Sequence, residues 1–187
     1  DWTFIRVPQK NTFSLKSKSG FLRLFSKPNK IEDRKRFSMI GFRQRESDFD
    51  YEVKMEYSPS DDKVESGIIH YQKERNYLTN TVYKIGKKFY LEQKLKEKNK
   101  NVTSVKKVVL KNYKGNIIFK MNSKKDRYDF YYSLDNGKNF NYYTTIDAIK
   151  MLDRNYTGAL LGIFSTSNSK KSNDYADYDW VRYKDYV

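Results

Sequence analysis

Between Asp50 and Tyr57 the chain alternates two kinds of residue: Tyr51, Val53, Met55 and Tyr57 are apolar or aromatic, while Glu52, Lys54 and Glu56 between them are charged. A period of two puts the first set on one face of an extended strand and the second on the other, so this stretch has one dry face and one wet face. The theme repeats in Leu22 with Leu24, Phe89 with Leu91, Ile117 with Phe119 and Met121, and Tyr128 with Phe130 and Tyr132, on segments separated by polar turns containing Gly or Asn. Many short alternating strands between turns predict an all-β, two-sheet antiparallel sandwich or jelly roll. Aromatics make up 17% of the chain, with 17 Tyr, 12 Phe and 2 Trp, and flat rings pack well on pleated faces. At 187 residues one core suffices, so a single domain over 1–187 is expected.

Local signals refine this outline. Asp135-Asn-Gly137 lies between two aromatic strands, and Asn-Gly supplies the positive φ angles of a tight hairpin. Its frame, Ser133-x-Asp135-x-Gly137-x-x-Phe140, looks like the structural Asp-box hairpin of sialidases. Thr145–Leu152 spaces its apolar residues poorly for a strand and suggests one helical turn. Asn155-Tyr-Thr-Gly-Ala-Leu-Leu-Gly-Ile-Phe164 reads as a buried strand with small residues where another backbone comes close. Tyr175–Tyr183 alternates Ala176, Tyr178 and Trp180 against Asp177, Asp179 and Val181.

Several function classes are closed by composition. Without cysteine there is no disulfide, thiolate metal site or Cys nucleophile, and the redox compartment is left open. No apolar run approaches the roughly 20 residues of a membrane-spanning helix. The 38 Lys and Arg against 23 Asp and Glu give a formal charge of +15, a sign that favours anionic partners. No RNA- or DNA-binding motif accompanies it, and the basic residues are spread over polar strand faces and loops, so the charge reads as solubility and not as a nucleic-acid site. Gly20, Gly41, Gly67 and Gly86 are isolated, so no phosphate loop is present.

Candidate chemistry is sparse. Asp48, Asp50 and Glu52 share one strand face, and the catalytic strand of laminarinase-type jelly-roll glycanases uses similar spacing, with Asp48 and Glu52 here in the two roles. Lys54 and Glu56 continue that face, as a solvated surface would. His70, the single histidine, reads as a hydrogen-bonded packing residue or a polar contact in a groove. Asp177 and Asp179 are candidate oxygen ligands of a structural Ca²⁺, although about six to eight ligands are needed. Tyr131, Tyr142, Tyr143 and Tyr175 are candidate sugar-stacking platforms, each weighed against a role in packing.

Taken in order, Trp2–Pro8, Gly20–Leu24, Ile40–Arg45, Phe49–Glu52, Ser66–Tyr71, Tyr132–Gly137, the Tyr156-Thr-Gly-Ala159 strand and the Tyr175-Ala-Asp-Tyr-Asp179 strand resemble the C-terminal concanavalin A-like domain of glycoside hydrolase family 43 β-xylosidases and arabinofuranosidases. Lys87–Lys114 matches least. The resemblance implies a non-catalytic accessory domain without a cofactor, excised from a larger glycoside hydrolase. The catalytic residues would lie on a separate five-bladed propeller, its partner in the same polypeptide. The sandwich would pack on that propeller, lend a loop to the rim of its substrate pocket and contact xylan or arabinoxylan oligosaccharides. Arg6 and the turn at Tyr156-Thr157-Gly158 are the positions it points to for the pocket rim. A stand-alone lectin-like module and a jelly-roll glycanase are the alternatives.

Overall fold

A computed structural model describes residues 1–152 and 158–186. Along the chain the strands are β1 (Phe13–Ser14), β2 (Leu22–Phe25), β3 (Ser38–Arg43), β4 (Phe49–Glu56), β5 (Glu65–Lys73), β6 (Asn76–Ile85) and β7 (Lys88–Lys96). They continue with β8 (Thr103–Val109), β9 (Asn116–Lys124), β10 (Arg127–Ser133), β11 (Asn141–Asp147), β12 (Leu160–Thr166) and β13 (Tyr175–Asp185). One sheet has seven strands in the order β1-β2-β13-β4-β9-β10-β11, the other six in the order β3-β12-β5-β6-β7-β8. Among the described residues the strand pairings are antiparallel. This is the expected concanavalin A-like sandwich.

The alternation of β4 is realised in its burial: Phe49, Tyr51, Val53 and Met55 are fully enclosed, while Asp50, Glu52, Lys54 and Glu56 lie partly exposed on the far side. The enclosed side meets Leu78, Val82 and Leu91 of the six-stranded sheet together with Phe119 and Phe130 of its own. Each such large side chain removed from water contributes about 1.5–3 kcal/mol. β5 and β6 are buried on both faces over most of their length, because a second cluster covers the outside of the six-stranded sheet. There Ile69, Tyr71, Tyr77 and Phe164 pack under Ile31, carried by the 3₁₀ turn Ile31–Asp33.

Backbone proximity in β12 is as tight as its small residues suggested. Gly162 pairs with Gly41, and a Cβ on Gly162 would stand 2.4 Å from the Ile40 carbonyl oxygen. The Asp135 hairpin joins β10 and β11, with Asn136 and Gly137 both at positive φ, 60° and 85°. Asp135 accepts bonds from the Ser133 hydroxyl (2.8 Å) and the Asn139 backbone N–H and side-chain amide (2.9 and 2.7 Å), while Gly137 N–H donates to Ser133 Oγ (2.9 Å). Lys87–Lys114 holds the β7–β8 hairpin at the edge of the six-stranded sheet.

Three local expectations are revised. Trp2–Pro8 joins the sheet only through Thr3, which exchanges two backbone bonds with Gly41 (2.7 and 3.0 Å). Thr145 and Ile146 stay in β11, and the helical turn is the short 3₁₀ segment Ala148–Met151, capped by Asp147 accepting from Ile149 N–H at 3.0 Å. In β13 a bulge between Tyr178 and Trp180 breaks the period of two, so Val181 and Tyr183 pack on the core and Trp180 lies under the Arg182 guanidinium, 4.0 Å from it.

Candidate functional site

A cleft of about 690 Å³ opens where the N-terminal segment crosses the end of β3. Trp2 meets Phe42 edge-on at 5.2 Å and Phe4 meets Phe13 at 5.3 Å, and these contacts with the Thr3–Gly41 bonds anchor the segment on the sandwich. Arg6, two residues past the anchored stretch, lines the cleft and donates to the Arg34 carbonyl. Arg43 and Arg45 enter from the end of β3 and the residues after it, Lys73 from the end of β5, and Gly158 from the approach to β12. Gly158 has φ 98°, and Arg43 Nη1 lies 2.9 Å from where a Cβ would sit, so this glycine lets the guanidinium close down on the backbone.

Four cationic side chains thus line the cleft against the carboxylates of Asp1 and Glu74, and Glu74 is paired with Arg34 at 3.2 Å. Tyr71 forms part of the wall; burial, and secondarily Glu74, push its hydroxyl up to about 12, so it is a hydrogen-bond donor at neutral pH. The resulting field favours a carboxylate-bearing surface. Across the same N-terminal segment lies an apolar groove of about 350 Å³, lined by Trp2, Leu15, Phe21, Leu22, Trp180 and Val181. Trp2 is 53% and Leu15 64% exposed there.

The model of the β-xylosidase C-terminal concanavalin A-like domain matches residues 1–184. The chain belongs to that family. It is 26% identical over 175 residues to a xylosidase/arabinosidase of Butyrivibrio fibrisolvens, covering 90% of this chain and 32% of that protein. It is 24% identical over 187 residues to a non-reducing end α-L-arabinofuranosidase of Bacteroides ovatus, covering 98% and 35%. The crystal structure of the GH43 protein BlXynB from Bacillus licheniformis superposes with a TM-score of 0.87 at 25% identity, covering all of this chain and 37% of that one. The chain therefore spans about a third of the length of these relatives, larger family 43 proteins in which this domain is attached to the catalytic one.

Of the residues singled out for the pocket rim, this accessory domain brings Arg6 and Gly158 to one cleft, while Tyr156 and Thr157 lie outside the described residues. The other candidates scatter. Tyr143 is a core residue whose hydroxyl donates to Asn80 Oδ1 at 2.5 Å. Tyr131 and Tyr142 meet edge-on at 5.6 Å on the outside of the seven-stranded sheet, with Tyr142 58% exposed. Tyr175 is at the opposite end of β13 from the Tyr183 contacts, and the Arg23 guanidinium covers one face of its ring at 3.6 Å.

His70 is buried; one ring nitrogen bonds Gln44 Oε1 at 3.0 Å, the other has no partner, and the ring lies 5.2 Å from Tyr128. Burial holds it down at about 4, so it is neutral at physiological pH. Asp177 receives Arg23 through two bonds of 2.8 and 3.0 Å, and Asp179 receives Lys54 at 3.0 Å. Among the described residues no group of three or more His, Asp or Glu is arranged to hold a metal ion. Asp48 accepts from Lys125 N–H at 2.7 Å. Glu52 and Asp50 flank Lys120 at 3.2 and 3.9 Å on the outside of the sheet, with Asn122 and Tyr186 bonding Asp50 at 2.5 and 2.6 Å. A cation between the carboxylates is the arrangement of a solvated face.

The paired cleft and apolar groove carried no sequence motif. Their residues come from six separated segments, and only the apolar side chains Trp2, Leu15 and Phe21 near the start could have marked the place.

Proposed function

We propose that the chain is a non-catalytic accessory domain that seats on the catalytic propeller of a family 43 glycoside hydrolase of the β-xylosidase or arabinofuranosidase type. The observation that carries this reading is the pairing of a cationic cleft with an exposed apolar groove on either side of one anchored segment. An apolar patch of this kind, bordered by charge, suits burial against another domain, with the arginines pairing to carboxylates on the facing surface. Arg6 and Gly158 then lie at the rim of the substrate pocket, where xylan-derived sugars pass. Family membership and the size of the relatives support this reading.

The test is made in the parent polypeptide. Arg6→Glu with Arg45→Glu should loosen the seat, seen as faster limited proteolysis between the domains and faster amide exchange at Trp2–Phe4 and Phe42, with the melting of the sandwich itself unchanged. Exchange and proteolysis identical to the unaltered protein refute the proposal.

A further inference from the structure

On the far side of the molecule from the core, the outer face of the six-stranded sheet carries a second kind of groove. Two hollows of about 230 and 340 Å³ share Lys30, Glu65, Lys94 and Asn168, and so form one continuous depression over β5, β6 and β7. Its floor is a polar network, buried at Glu65 and Thr81 and partly exposed at Glu92 and Lys94. The Glu65 carboxylate accepts from Thr81 Oγ1 (3.1 Å), Lys94 Nζ (3.2 Å) and Asn168 Nδ2 (3.0 Å). Lys94 also reaches Glu92 at 3.6 Å, and Glu92 accepts from Ser104 at 2.7 Å. An ionised carboxylate offers about four acceptor positions and an ammonium about three donors, so Glu65, Glu92 and Lys94 each keep capacity for a ligand.

Two features define what fits. On a chain of net charge +15, this groove sets three lysines (Lys30, Lys63, Lys94) against four carboxylates (Glu32, Asp62, Glu65, Glu92), so it gives no preference to an anion. At one end Tyr83, half-buried, lines the wall and is stacked on Tyr90 at 5.6 Å and 22° between planes. Lys107 sits 4.4 Å over the Tyr90 ring and 5.5 Å from the centre of the Tyr83 ring, so the pair of rings is held at the edge of the groove. Mixed donors and acceptors close together, with a fixed aromatic ring beside them, match a neutral ligand whose hydroxyls both donate and accept and whose C–H face stacks on a ring.

We propose that this groove binds a neutral oligosaccharide chain, with Tyr83 as the stacking ring and Glu65, Glu92 and Lys94 bonding its hydroxyls. The inference stands apart from the seating of the N-terminal cleft, and its residues are different. The test is calorimetric titration of the 187-residue chain with xylohexaose, cellohexaose and, as an anionic control, polygalacturonate. A neutral hexasaccharide should bind; Tyr83→Ala should weaken binding about tenfold, and Tyr83→Phe, which keeps the ring, less than about threefold. As a readout independent of any variant's folding, amide signals of Glu65, Thr81, Tyr83 and Lys94 should shift on adding the hexasaccharide that binds. Arg6→Glu with Arg45→Glu should leave the affinity unchanged, which separates failure here from failure of the seating. No binding of either neutral probe, an affinity indifferent to Tyr83→Ala, preference for polygalacturonate, or shifts confined to the Arg6 cleft would overturn it.

Discussion

Acidification should destabilise this sandwich through one residue. His70 is the single histidine of the chain, buried between the sheets, and burial moves its pKa from 6.5 to about 4. The unfolded chain therefore takes up a proton near pH 6.5 that the folded chain refuses until about pH 4. Stability is fully present above the unfolded value and falls as the pH drops through this window. At pH 5 the difference in proton binding amounts to about 2 kcal/mol relative to neutral pH. With a urea slope of about 2 kcal/mol per molar, the midpoint should drop by about 1 M between pH 7 and pH 5. His70→Gln keeps a polar side chain in reach of Gln44 without a titrating ring, so its midpoint should move far less over the same range. Equal drops in the two proteins would refute the reasoning, as would a His70 pKa above 6 measured in the folded state by NMR.

Two further outcomes follow from the fold. Gly162→Ala places a methyl group 2.4 Å from the Ile40 carbonyl oxygen of the neighbouring strand β3, and should cost about 3 kcal/mol in urea unfolding, where an exposed Gly→Ala change would be near neutral. Asp135 is held down to about 2, first by the Asn139 side chain and then by the Asn139 N–H, so the hairpin bonds should persist as the pH falls past 3.8 and weaken only toward pH 2. Amide exchange at Gly137 and Asn139, corrected for intrinsic rates, should report this, and loss of protection already at pH 4 would contradict it.

Much of the architecture was legible because it rests on local rules. The β4 alternation from Phe49 to Glu56 and the Asn136-Gly137 turn are each set by neighbours in the sequence, and each appears in place. What escaped depends on contacts distant along the chain. Trp180 departs from its period because a bulge against Lys54 turns it outward, and no residue near it announces the extra step. Tyr143 stood open between platform and packing and lies in the core, since an aromatic at a strand position reads alike on either face until the opposing sheet is known. Arg6 and Gly158 come together only through the crossing of the N-terminal segment over β3, and the Glu65 groove only through the pairing of β5 with β6 and of β6 with β7.

The central claim, that this sandwich serves a glycosidase without cleaving a glycosidic bond itself, is met most directly by assaying the purified chain at micromolar concentration with aryl β-xylosides, aryl α-L-arabinofuranosides and laminarin. Product release should not exceed the buffer blank, for the unaltered chain and Glu52→Gln alike. Turnover above the blank that disappears in Glu52→Gln would contradict the account.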